Sequence, residues 1–339
     1  MRFLWRFLLA VLLALAVAAG AAWWWVQRPM ALSASQLDLA IEPGTTPRAV
    51  AQAVAEAGAA VDPRLLWWWF RLSGEARLIK AGSYEIREGD SPRSLLARLT
   101  RGEESLRTLV LVEGWTFRQF REALARADGL KSDSRGLDDA ALMAQLGRAG
   151  LAAEGRFFPD TYAYGRGSSD MAVLRRALHA MDRQLAAAWA LRGPRVALQT
   201  PEQALILASI IEKETGRAAD RPMISSVFHN RLRIGMLLQT DPTVIYGMGD
   251  RYDGRLRRRD LQADTPWNTY TRAGLPPTPI ASPGKAALLA AVAPADSAAL
   301  YFVARGDGSS VFSRDLDAHN RAVNQYIRNR APGGGSDEP

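Results

Sequence analysis

Cysteine is absent from the 339 residues, which excludes a disulfide framework and any zinc or iron–sulfur site built on thiolates. Histidine is nearly absent. His179, His229 and His319 lie too far apart in the chain for a local metal-ligand pattern, so neither a metal nor any other cofactor is expected. Lysine is scarce as well: with only Lys80, Lys131, Lys213 and Lys285 present, the 43 basic residues are almost all arginine. They outweigh 35 acidic residues and give a formal charge of +8. Such a balance suits an anionic partner: nucleic acid, lipid headgroups or an acidic polymer. A hydrophobic content of 48% is enough for packed cores, and the length has room for a membrane anchor plus about two domains.

The chain opens with an apolar run. Residues 7–26, beginning at Phe7 and closing at Val26, carry no charge, and about 20 such residues cross a bilayer as a helix. Arg2 and Arg6 precede the run. Positive residues stay on the cytoplasmic side, so the N-terminus is expected inside and the rest of the chain outside, although Arg28 beyond the run reduces the asymmetry. Trp23, Trp24 and Trp25 fall where an aromatic belt meets the outer interface. A cleaved signal peptide competes with this reading, because residues 18–22 are all small. The run is longer than a signal core and its tryptophans follow the small residues, which favours a retained anchor. An exported domain in turn removes nucleic acid as the anionic partner.

Three stretches repeat one theme: Glu42-Pro43-Gly44-Thr45-Thr46-Pro47-Arg48, Glu88-Gly89-Asp90-Ser91-Pro92-Arg93 and Glu113-Gly114-Trp115-Thr116-Phe117-Arg118. In each, a glycine turn leads to an N-cap residue, Thr46, Ser91 or Thr116, and twice to proline at the first helical position. Each unit therefore reads strand, turn, helix. Their irregular spacing argues against a solenoid. Strands are expected at 37–41 and 81–86 and helices at 49–57, 63–72 and 95–99, which makes residues 29–104 a small α/β module. Trp67, Trp68, Trp69 and Phe70 stand in a row in the second helix. No helix buries four consecutive large side chains on one face, so at least one is expected at the surface.

Residues 105–331 read as a larger mixed α+β domain, and the glycine-rich end, 332–339, as disordered. A strand at 106–112, helices at 171–191, 223–233 and 318–329, and a hairpin around Gly306-Asp307-Gly308 are expected, with Asp241-Pro242 as a turn or loop. The stretch that organises this domain runs from Thr200 to Gly216. Thr200, Pro201 and Gln203 form a capping box with proline at the first helical position, and Gly216 is the matching stop. Between them, residues 204–211 are apolar on nearly every side except at Ser209, the pattern of a helix buried all round. Glu212 follows one turn beyond Ala208 and two beyond Leu205, on a face that is otherwise packed. Partial desolvation favours the protonated carboxyl that a general acid needs. The plain alternative is a helix-end carboxylate held by an arginine such as Arg217 or Arg221.

Four segments carry a family resemblance: Ser209-Ile210-Ile211-Glu212-Lys213-Glu214-Thr215, Leu238-Gln239-Thr240-Asp241-Pro242-Thr243-Val244, Asn268-Thr269-Tyr270 and Gly274-Leu275-Pro276-Pro277. In this order and at about this spacing, the chain resembles the YceG-like endolytic murein transglycosylases (the MltG family) over nearly its whole length. Pro159-Asp160-Thr161-Tyr162 matches a further motif of that family. The resemblance implies an N-terminal transmembrane helix over residues 1–28, a LysM-like membrane-proximal module at 29–104 and a YceG-like catalytic domain at 105–331. It implies peptidoglycan glycan strands as substrate, peptidoglycan synthases as companions, and a cell inner membrane location with the catalytic domain periplasmic. Glu212 matches the family's catalytic glutamate. Gln239, Thr240, Asp241 and Thr243 supply short hydrogen-bonding groups suited to sugar hydroxyls and acetamides, and Tyr246 and Tyr270 supply aromatic faces. With Glu214 and Asn268 they make up the expected substrate-binding set.

A glycosidase ordinarily uses two carboxyl groups. One suffices for a lytic transglycosylase, the reaction the resemblance implies, because the 6-hydroxyl of the muramic acid attacks its own anomeric carbon and leaves a 1,6-anhydro end. Three readings compete: a muramidase in which Asp241 or Glu214 activates water, a pyridoxal-phosphate lyase built on Lys213, and a non-catalytic membrane-tethered wall-binding scaffold. No glycine-rich phosphate loop lies near Lys213, which counts against the lyase. Glu214 stands two residues from Glu212, so it is expected to face the side of Lys213 or solvent.

Overall fold

In the computed structural model, which describes residues 2–328, the chain divides into two compact units. One comprises the residues up to Leu109 with 127–131 and 163–170; the other comprises 110–126, 132–162 and the chain from Met171 onward. The expected disorder at 332–339 and the last residue of the helix expected at 318–329 lie outside the described residues.

The first unit begins with α1 (Arg2–Gln27), of which Trp5–Gln27 is long and apolar enough to cross a membrane. Then come β1 (Gln36–Ile41), α2 (Pro47–Glu56), α3 (Pro63–Leu72), β2 (Gly82–Arg87) and α4 (Pro92–Arg101), before β3 (Leu106–Val110). β1 and β2 pair antiparallel with Leu37 opposite Ile86 and Leu39 opposite Tyr84. Alternation along β1 buries Leu37, Leu39 and Ile41 against Val50, Val54, Leu66, Phe70 and Leu95. The helix starts are those written in the sequence: Thr46 Oγ1 accepts from the Ala49 amide, and Ser91 and Ser94 form a reciprocal capping box. Among the four consecutive aromatics, Phe70 is fully buried and Trp68 is 48% exposed, as one helical face requires. At the end of α1, Val26 is buried and Trp25 packs against the module's core, while the exposed Trp24 and Trp23 rings carry the Arg28 and Arg93 guanidiniums at 5.0 and 5.1 Å.

The second unit supplies α5 (Phe117–Arg126), α6 (Asp139–Gln145), α7 (Asp170–Ala190, entered after β4, Thr161–Gly165), α8 (Pro201–Glu214) and α9 (Arg221–Arg233). They are followed by α10 (Asp241–Met248), α11 (Arg258–Gln262), α12 (Lys285–Val292), the hairpin β5 (Tyr301–Ala304) and β6 (Ser310–Ser313), and α13 (Leu316–Val323). The eight residues 204–211 of α8 are all buried, so this helix is the axis on which α9, α10 and α12 pack. Even Ser209 is fully buried; its Oγ donates to Ile206 O at 2.7 Å and accepts from the Ile280 amide at 3.0 Å. His229 is buried too. Its Nδ1 accepts from the Ala197 amide, so Nε2 carries the proton given to Ala291 O, and burial pulls its pKa down. It therefore works as a neutral strut.

Three local expectations are corrected. Thr200 caps α8, but Gln203 Oε1 accepts from the Gln199 amide at 2.6 Å instead of closing a box on Thr200. α8 ends at Glu214 because Thr215 turns to extended backbone (φ −150°, ψ 134°), so Gly216 is not a left-handed cap. Asp241-Pro242 does not break the chain. It starts α10, where proline at the first turn has no amide to leave unpaired.

Candidate active site

Glu212 lies in the last turn of α8, and its side chain is only 6% exposed. Arg221, at the start of α9, reaches Glu212 Oε1 at 3.2 Å. The other oxygen accepts the Gly284 amide at 2.8 Å, and Gly284 is the N-cap residue of α12. Unpaired amides at a helix start favour negative charge. Both readings of Glu212 thus meet in one geometry: the carboxyl is buried, and an arginine holds it. Among the described residues, Arg221 Nε finds no hydrogen-bond partner, and the fully buried Ser282 hydroxyl finds none either. Buried polar atoms left unpaired in a protein mark places where a ligand or water completes the set.

A second loop closes over this point. The Gly114 amide donates to Ser282 O at 2.9 Å and the Ser282 amide donates to Trp115 O at 2.8 Å, so 113–116 and 282–284 lie side by side. Lys213 Nζ secures the same loop by donating to Gly114 O at 3.2 Å. The Glu113 carboxyl comes close here: a Cβ on Gly284 would overlap it, so that exposed side chain would have to turn aside.

A cavity of about 920 Å³ opens beside Lys213, lined among others by Gln119, Glu154, Tyr246, Trp267 and Thr278. Glu212 is not in its wall. Glu154 accepts the Phe117 amide on both oxygens, at 3.0 and 3.2 Å, and Tyr246 donates its hydroxyl to Glu154 Oε2 at 3.2 Å. Burial outweighs these bonds and pushes the Glu154 carboxyl up to about 7. Tyr246 stands edge-on to Trp267 with ring centres 5.3 Å apart. The turn that carries Glu154 is pressed on the 279–281 loop: Gly155 has φ +74°, and a Cβ there would lie 2.5 Å from Pro279 Cβ.

The expected substrate-binding residues divide into two groups. Thr240, Thr243 and Asn268 are buried, and their polar atoms are used internally: Thr243 Oγ1 meets Thr240 O and Thr269 Oγ1, and Asn268 Nδ2 donates to Leu261 O and Ala263 O. Glu214 is turned inward, where the side of Lys213 or solvent was expected; it accepts the Thr240 hydroxyl, and burial raises its carboxyl to about 7. Gln239 and Asp241 are exposed, and the Tyr270 hydroxyl donates to Asp241 Oδ1 at 2.5 Å. Gln239 has φ +48°, the only non-glycine residue with positive φ among those described. Such strain collects at functional sites. Beneath it, the buried Arg231 guanidinium donates to Leu237 O and Leu238 O.

Sequence reasoning gave no role to Glu113 or Glu154, and it named Arg221 only as a candidate holder of Glu212. Glu113 and Glu154 each precede a glycine, a pairing that reads first as turn chemistry. Among the described residues, no group of three or more His, Cys, Asp and Glu side chains is placed to hold a metal.

An α+β protein with an apolar N-terminal helix and a buried, arginine-held glutamate at the meeting of two helix ends is the class that this fold and site define. Residues 39–325 match the model of the YceG-like family, and the chain belongs to that family. It is similar to the endolytic murein transglycosylase of Bacillus subtilis, at 29% identity over 319 residues, covering 88% of this chain and 87% of the relative. The endolytic murein transglycosylase of Streptococcus pneumoniae is 27% identical over 286 residues, which are 74% of this chain and 51% of that protein. The crystal structure of a yceG-like protein from Listeria monocytogenes superposes with a TM-score of 0.56 at 28% identity, covering 85% of this chain and 99% of that one.

Proposed function

We propose that this chain is an endolytic murein transglycosylase, a lyase that cuts the MurNAc-GlcNAc β-1,4 bond of peptidoglycan glycan strands and uses Glu212 as its acid and base. The observation that carries this reading is the Glu212 carboxyl, placed by a buried helix between Arg221 and the start of α12. Relatives named for this activity match most of the chain. In the first step the acid protonates the bridging oxygen, and the C1–O4 bond breaks. The 6-hydroxyl of the same sugar then forms the O6–C1 bond and returns a proton, so no water enters and the strand ends in 1,6-anhydro-MurNAc. Such a cut would terminate elongation of a nascent strand beside its synthases.

In this reading Gln239, Asp241, Tyr246 and Tyr270 touch sugar, while Glu214, Thr240, Thr243 and Asn268 shape the loops that carry them. Digests of purified wall glycan are expected to give muropeptides lighter by one water than hydrolysis products, read by mass spectrometry. Reducing ends alone would move the assignment to a muramidase, with Asp241 as the suspect base.

The anchor reading places α1 in the cell inner membrane, N-terminus inside, with the catalytic domain periplasmic. Its support is the charge-free run behind Arg6 and the aromatic and arginine residues at its far end. A reporter fused after Pro339 is expected to be active outside the cytoplasm. Cytoplasmic activity from a stable fusion reverses the orientation. The β-α-α-β order of the first unit supports the LysM-like reading, in which this module contacts glycan.

A further inference from the structure

Glu113 has no place in the one-carboxyl scheme, yet its carboxyl lies directly on Gly284, the residue whose amide binds Glu212. Its neighbour is equally close: a Cβ on Gly114 would be 3.8 Å from Glu212 Cγ and 3.7 Å from Lys213 Cδ. Both glutamates therefore meet the same residue at the start of α12, Glu212 through the Gly284 amide and Glu113 by contact at its Cα. They differ in setting. Glu212 is buried with both oxygens bonded, whereas the Glu113 residue is exposed and its carboxyl accepts no hydrogen bond among the described residues. An exposed, unpaired carboxyl touching the floor of a site is free to meet a substrate that covers it. The unpartnered Ser282 hydroxyl and Arg221 Nε lie around the same point.

Resting on the transglycosylase reading, we infer that Glu113 is a second catalytic carboxyl, which shares with Glu212 the one proton that leaves for the glycosidic oxygen and returns from the sugar's 6-hydroxyl. The balance closes within the pair. Its proton goes to the bridging oxygen, the C1–O4 bonding electrons leave with that oxygen, the 6-oxygen lone pair forms the bond to C1, and the 6-hydroxyl proton restores the pair. A charged carboxylate nearby disfavours ionisation of a second carboxyl, so the Glu212 charge helps Glu113 to keep the proton it would give. Partial burial and the charge of Glu212 both raise the Glu113 pKa, and Arg221 lowers it. The charges facing the pair are Lys213 from α8, Arg221 from α9 and the start of α12.

The test is the rate of anhydro-end formation by the full-length enzyme on purified glycan strands, measured across pH for wild type, Glu113→Gln and Glu113→Asp beside thermal melts. Glu113 is exposed, so both variants are expected to melt as wild type does. Glu113→Gln is expected to lose about 10²-fold in kcat at neutral pH with KM little changed, as for loss of one acid–base partner. The alkaline limb of its residual activity should move to lower pH, because the like charge that held the proton is gone. Glu113→Asp should keep the wild-type limb at an intermediate rate. Wild-type turnover in Glu113→Gln overturns the pair, and so does a slow variant with an unmoved limb, which would make Glu113 a packing residue. The wider reading fails separately, through an active Glu212→Gln; a dead Glu212→Gln beside a silent Glu113→Gln removes only the pair.

Discussion

Glu212→Gln in the full-length chain is expected to lose nearly all glycan cleavage, at least the ~10²–10⁴-fold typical of removing an acid–base group. Glutamine keeps the size of the side chain and an acceptor for the Gly284 amide, but it has no proton to give and no charge for Arg221. The fold should survive. Loss of a charged hydrogen bond costs on the order of 1–3 kcal/mol, which should show as a modest fall in the melt. Glu214→Gln is the control on the same helix, two residues on, where the carboxyl meets Thr240 and not the α12 start. It should retain most turnover. A Glu212→Gln variant that melts as described and still cuts, beside an inactive Glu214→Gln of normal stability, would falsify the mapping of the reaction onto this helix end.

The helix that carries Glu212 was legible because its signals are local. A Thr-Pro start and eight successive core residues need no tertiary knowledge, and neither do the caps at Thr46 and Ser91. Asp241-Pro242 was misread because proline marks both a turn and a first helical turn, and only the packing of α10 decides between them. Glu214 shows a second limit. The rule that residues two apart point to different sides held, but solvent was not what lay on the other side: the Thr240 loop covers it. Glu113 was hidden for another reason. Its Glu-Gly unit occurs three times in the chain, at Glu88, Glu113 and Glu154, and reads first as turn chemistry each time; only the pairing of 113–116 with 282–284, about 170 residues apart in sequence and therefore invisible to local patterning, brings this copy to the site.

Raising the pH from about 5 to 8 is expected to destabilise the second unit, through Glu154 and Glu214. Burial raises both carboxyls from 4.5 to about 7. A carboxyl whose folded pKa is raised binds more protons folded than unfolded, so its share of stability is complete below the unfolded value and is lost as pH climbs through the folded one. The window is therefore about pH 4.5 to 7, with a loss on the order of 3 kcal/mol per carboxyl across it. Asp90 does not offset this, since its carboxyl is lowered below 3.8 and acts at more acid pH. Glutamine mimics the protonated acid: at Glu154 its carbonyl can accept the Phe117 amide while its amide group donates to the Tyr246 oxygen. Glu154→Gln and Glu214→Gln should thus each flatten the fall in melting temperature between pH 5 and 8, and each should melt above wild type at pH 8. Their effects should add, because the two carboxyls share no hydrogen-bond partner. The measurement is a set of thermal melts across this range. A wild-type melt that is flat from pH 5 to 8, or variants that follow the wild-type slope, would mean that these carboxyls are charged in the folded protein at neutral pH and that their surroundings stabilise the charge.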